Sequence, residues 1–84
     1  MWQLRIRNKL RKIINKFPKK DSERIHDLIK QMSINPYDGD IHKLSGNENV
    51  WRRRTGSYRI FYELILEERI LHVFNIERRN SNTY

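Results

Sequence analysis

The chain has 84 residues, no cysteine and a formal net charge of +8, a size that fits one domain over residues 1–84 and leaves little apolar volume to line a buried catalytic cavity. Without cysteine there is no disulfide framework and no thiolate zinc site, so folding asks nothing of the redox compartment. No run approaches the roughly 18 apolar residues of a membrane span, and the basic start "MWQLRIRNKL" lacks the apolar stretch of a secretion signal, so the expectation is a cytoplasmic protein with no membrane partner.

The charge is unevenly spread. Residues 1–20 hold eight Lys/Arg and no acid, residues 21–50 three basic and six acidic side chains, and residues 51–84 seven basic and four acidic. Such a field draws polyanions, and nucleic acid, an acidic protein or an anionic membrane surface would each satisfy it. Composition does not choose between them.

In chain order, "WQLRIR" alternates Trp2, Leu4 and Ile6 with Gln3, Arg5 and Arg7, the period of a half-buried strand. From Asn8 the period changes: Leu10, Ile13, Ile14 and Phe17 form one helical stripe ended by Pro18, which predicts a helix near 8–17. Asp21 or Ser22 can cap a second helix whose stripe is Ile25, Leu28, Ile29 and Met32, closing before Asn35–Pro36. The basic residues Lys9, Arg11, Lys12, Lys16, Lys19 and Lys20 lie off the first stripe. They are either a solvated face or a surface recruited by a partner.

After a loop, "NPYDGDIHKLSGNEN", strand periodicity returns. Residues 51–55 read as a strand; Tyr58, Ile60, Tyr62 and Leu64 alternate with Arg59, Phe61, Glu63 and Ile65; "LEER" permits a turn; and residues 70–77 are rich in β-branched and aromatic types. The order β-α-α-β-β-β predicts an α+β fold, a helical hairpin packed on one face of a mainly antiparallel four-stranded sheet whose other face stays open.

Counting dismisses several chemistries. There is no Gly-rich phosphate loop, no carboxylate pair at catalytic spacing and no cysteine nucleophile, and His26, His42 and His72 are scattered without metal-ligand spacing. No cofactor is implied. Arginine beside aromatics remains in quantity. Arg52, Arg53 and Arg54 alternate faces on a strand, and Arg59 can join one set across the hairpin. Either these are ordinary strand charges partnered by Glu63 and Glu77, or they face an anion; planar, permanently charged and bidentate guanidinium groups suit a phosphodiester. The direction of Arg53 is left open by the pattern. At the C-terminus Arg78, Arg79 and a final Tyr84 offer further charge and a ring able to stack on a base.

The second half, with Leu44 and Gly46, then Trp51, Arg52 and Arg54, then Gly56, Tyr58, Arg59 and Tyr62, then Arg78, Arg79 and Tyr84, resembles the toxins of the RelE/ParE superfamily. The first strand and helical hairpin sit where that family has them, so the resemblance covers the whole chain. Within the superfamily the RelE-like branch is the more similar. It implies the toxin of a type II toxin-antitoxin pair, a metal-independent, ribosome-dependent endoribonuclease that cuts mRNA in the A site by 2′-OH attack and leaves a 2′,3′-cyclic phosphate. It also implies a cognate antitoxin as partner.

Carried over by position, the resemblance implies that Arg59 stabilises the transition-state phosphate. Arg52 and Arg54 would bind RNA or help activate the 2′-OH, and Tyr84 would stack on and orient the substrate. Arg78, six residues before Tyr84, fits the general-acid position, while strand alternation groups Arg79 with Asn75 and Glu77. Arg53, Arg79 and Lys43 join the RNA-binding set. The alternative reading is a ParE-like toxin that inhibits DNA gyrase without cleaving RNA. Arg53 departs from the family pattern, which often has an apolar residue between the two basic ones.

Overall fold

The computed structural model describes residues 1–44, 46 and 49–78. Alternation in "QLRI" makes β1 (Gln3–Ile6), with Leu4 and Ile6 half-buried and Gln3 and Arg5 exposed. The change of period at Asn8 starts α1 (Asn8–Asn15). This helix closes two residues earlier than its apolar stripe, because the N–H groups of Lys16 and Phe17 turn back to the carbonyls of Ile13 and Ile14 ahead of Pro18. Leu10 and Ile14 are buried, and Phe17 packs on Tyr58 at 4.8 Å between ring centroids.

The second helix, α2 (Lys19–Ile34), starts earlier than its expected caps. Pro18 holds the capping position, its fixed φ suiting a helix entry, and the Ser22 N–H already bonds the Pro18 carbonyl. Asp21 and Ser22 therefore lie inside the first turn, where the Asp21 carboxylate favours the positive end of the helix. Ile25, Leu28, Ile29 and Met32 are all buried, as the four-residue stripe requires.

Five strands form one sheet in the order β1-β5-β4-β3-β2, where β2 is Ile41–Lys43, β3 Val50–Thr55, β4 Tyr58–Ile65 and β5 Ile70–Arg78. The pairing is antiparallel except for β1 beside β5. The fifth strand is β2, three residues inside the stretch expected to be loop; it is too short to show a period. "LEER" makes the turn before β5, with Arg69 at φ 52° and its guanidinium 5.0 Å from the Trp2 ring centroid.

Both helices cover one face. Tyr58, Ile60, Tyr62, Leu64, Leu71 and Val73 point into the core from that side. Between Phe61 and Tyr62 the register shifts, so that Phe61 opposes Asn75 while Tyr62 opposes Val73. Phe74 is the additional residue of a β-bulge.

Candidate nucleic-acid interface

Register sorts the arginines onto two faces. On the open face, three rows cross the sheet. One runs Arg54, Arg59, Glu77; the next His42, Arg52, Phe61, Asn75; the third Val50, Glu63, His72, Arg5. Residues directly opposite on neighbouring strands share a face, so Arg52, Arg54 and Arg59 gather there.

Their partners differ. Arg54 is held by Asp40, with Nε donating to Oδ2 at 3.0 Å and the backbone N–H donating to the Asp40 carbonyl at 2.9 Å. Glu63 lies 3.6 Å from His72 Nδ1 rather than against an arginine. Glu77 stands opposite Arg59 in register, yet among the described residues no carboxylate is at salt-bridge distance from Arg59 or Arg52. The Nε atoms of both are shielded from solvent without a hydrogen-bond partner. Two arginines at diagonal positions of one sheet face, with no carboxylate at salt-bridge distance among the described residues, form a site that a phosphodiester would relieve.

Arg53, Lys43 and Arg78 lie on the helix side instead. Arg53 is in register with Ile60 and Ile41; its Nη1 donates to the Asp38 carbonyl at 2.9 Å, and its guanidinium lies against Gly39. That answers the direction the alternation left open: Arg53 clamps the loop before β2. Lys43 is in register with Trp51 and places its amine 5.9 Å from that ring. Arg78 is in register with Tyr58, its guanidinium 5.5 Å from the ring centroid. The Tyr58 hydroxyl donates to Asp21 Oδ2 at 2.8 Å, tying β4 to α2. Arg79 and Tyr84 lie outside the described residues.

Three neighbours of the open-face site escaped the sequence reading. Asp40 and His42 fall within the stretch that the pattern predicts as loop. Phe74 was hidden by the bulge, although the spacing of three between buried Val73 and Ile76 breaks the period of two and marks it.

The structure bears out the two helices on one face of a mainly antiparallel sheet, and comparisons with known proteins agree. The family model described as the ParE toxin of the type II toxin-antitoxin system, parDE, matches residues 1–83. A protein of Methanocaldococcus jannaschii named as a candidate toxin, RelE1, is 27% identical over 83 residues, 95% of this chain and 92% of that protein. The archaeal RelE in its RelE-RelB complex from Pyrococcus horikoshii OT3 superposes with a TM-score of 0.81 at 20% identity, covering 94% of this chain and 96% of that one. The isolated E. coli RelE toxin gives 0.79 at 17% identity, covering 95% and 86%. The Mycobacterium tuberculosis complex RelBE2 gives 0.79 at 18%, covering 93% and 98%. At these identities the solved structures show a shared fold, and the match along almost the whole chain shows the family: this chain belongs to the ParE toxin family of type II toxin-antitoxin systems, with a RelE-like fold.

Proposed function

We propose that this toxin arrests translation by cutting mRNA in the ribosomal A site, and that a RelB-type antitoxin neutralises it. The observation that carries the reading is the pair Arg52 and Arg59, adjacent on the open sheet face without a carboxylate partner among the described residues.

In the proposed step the ribose 2′-oxygen attacks the neighbouring phosphorus. The 2′-O–P bond forms, the P–O5′ bond breaks, the 2′-OH proton passes to a base, and the 5′-oxygen takes up a proton as it leaves. Negative charge grows on the phosphoryl oxygens. Arg59 stabilises it, with Arg52 holding the RNA strand beside it. Arg54, held by Asp40, is kept from the phosphate and becomes a contact only when that pair is broken. A guanidinium holds its proton too tightly to donate or accept one readily, so these residues act through charge and position, and alignment by the ribosome supplies much of the rate.

The assignment of Arg78 shifts: seated over Tyr58, it would steady the end of β5. Arg79 is proposed to lend its charge to the leaving 5′-oxygen, and Tyr84 to stack on the substrate. The family's ParE description favours a second reading, gyrase inhibition without RNA cleavage. Toe-printing of ribosome-bound mRNA beside a gyrase supercoiling assay separates the two. Cleavage in the A site that is lost in Arg59→Ala and Tyr84→Ala supports the nuclease. Intact mRNA with inhibited gyrase overturns it.

A further inference from the structure

The bulge in β5 turns an aromatic side chain outward. Phe74 is 39% exposed on the open face, its ring centroid 6.4 Å from Phe61 and 6.2 Å from His72, with interplanar angles of 48° and 52°. A bulge interrupts the ladder, and here the interruption turns part of an aromatic face to water beside two further rings. The helices lie against the opposite face and leave this shelf uncovered.

The shelf adjoins the arginines. Phe61 stands directly opposite Arg52 and two residues from Arg59 on the same strand, a separation of about 7 Å. One nucleotide spans such a distance between its phosphate and its base. Cationic phosphate contacts beside exposed rings form the arrangement that binds single-stranded nucleic acid, in which any base can stack.

We propose that Phe61 and Phe74, with His72 at their edge, are a stacking platform for a base flanking the phosphate held by Arg52 and Arg59. The occupant is a nucleobase of single-stranded RNA, chosen by the charge beside the rings: guanidinium groups with no carboxylate at salt-bridge distance among the described residues match a phosphate chain. The platform rests on the nuclease reading for its site but makes a separate claim about the neighbouring nucleotide.

The test titrates the full chain with an RNA oligonucleotide containing 2-aminopurine and 2′-O-methyl groups that block cleavage. Quenching of the 2-aminopurine fluorescence reports stacking directly. Phe74→Leu keeps apolar bulk and removes the π-face. It should abolish most of the quenching and weaken binding by about 5-fold or more, the lower end of the roughly 1–3 kcal/mol per stacked base. Phe74→Trp should restore both. Replacing the base by an abasic position should weaken wild-type binding and leave Phe74→Leu unchanged. Circular dichroism of both variants verifies the fold.

Absence of quenching in the wild-type chain, or equal quenching and affinity in Phe74→Leu, overturns the platform. If A-site cleavage persists in that case, the nuclease reading survives without it. Stacking without cleavage would instead remove the nuclease reading and keep the platform. Loss of antitoxin binding in Phe74→Leu with RNA stacking unchanged would reassign the shelf to a protein contact and overturn the proposal.

Discussion

Arg54 and Arg59 face each other directly across β3 and β4, and the Asp40 carboxylate, 3.0 Å from Arg54 Nε, reaches only the first of them. Like charges opposed on adjacent strands repel. Asp40 relieves part of that repulsion, and Arg59, with no carboxylate at salt-bridge distance among the described residues, keeps capacity for a phosphate.

The division of arginines between faces predicts a division of phenotypes. Arg59→Ala should relieve growth arrest and abolish A-site cleavage while lowering unfolding free energy by no more than about 1 kcal/mol, since the half-buried stem loses packing but no ion pair among the described residues. Arg53→Ala should do the reverse. Loss of the bond to the Asp38 carbonyl and of the stem's packing should lower stability by about 1–2 kcal/mol, with cleavage per folded molecule retained. Urea unfolding and toe-printing of both variants decide it; lost cleavage in a fully stable Arg53→Ala would reverse the assignment.

Asp40→Asn should convert Arg54 from a paired residue to an RNA contact. Both partners are about half exposed, with side chains at 48% and 59%, so the lost ion pair should cost stability at most about 1 kcal/mol. RNA affinity should rise. The plot of log affinity against log salt should steepen by about 0.7, the counterion release for one more phosphate on a single strand. An unchanged slope would show that Arg54 does not reach the RNA.

What the sequence made legible follows from pattern length. Eight alternating residues in β4 announce both its faces, so Tyr58 and Tyr62 read as core and Arg59 as outward. Three arginines in a row carry no contrast, and Arg53 could be placed only through Asp38 and Gly39, residues of a loop 14 or more positions away. The same limit hid β2, and it placed Lys43 among the RNA contacts although its partner is Trp51. Arg78 fitted by its spacing from Tyr84, but pairing with Tyr58 puts it on the helix side, a consequence of register beyond the bulge. Caps were misread for a local reason: Pro18 can enter a helix as readily as it can end one.

Gly39→Ala should be costly for two separable reasons. The glycine has φ +89°, a left-handed conformation that charges an L side chain about 1–2 kcal/mol. A Cβ there would also collide with the Arg53 guanidinium. The single substitution should lower unfolding free energy by about 2–3 kcal/mol. In an Arg53→Ala background the collision disappears and the backbone cost stays, so the two substitutions should be less than additive. Additive losses in a double-mutant cycle by urea unfolding would show that the guanidinium does not depend on the bare glycine.

Alkaline titration reads the two buried tyrosines. Burial pushes the Tyr58 hydroxyl up to about 12, with its bond to the Asp21 carboxylate acting in the same direction. Burial also pushes Tyr62, bonded to the Pro36 carbonyl at 2.7 Å, up to about 12. An unfolded tyrosine loses its proton near 10, so between about 10 and 12 the folded chain holds protons that the unfolded chain has released. Stability is therefore full below about pH 10 and falls as pH rises through 12, by about 2–3 kcal/mol at most for Tyr62 and by less for Tyr58, whose hydroxyl is only part-buried. Tyr62→Phe has no proton to hold at that position. It should be less stable near neutrality by about 1–2 kcal/mol for the stranded Pro36 carbonyl, yet lose less than the wild-type chain on going to high pH. Urea midpoints for both chains, compared across that window, measure the difference; parallel profiles would mean that Tyr62 ionises without opening the core.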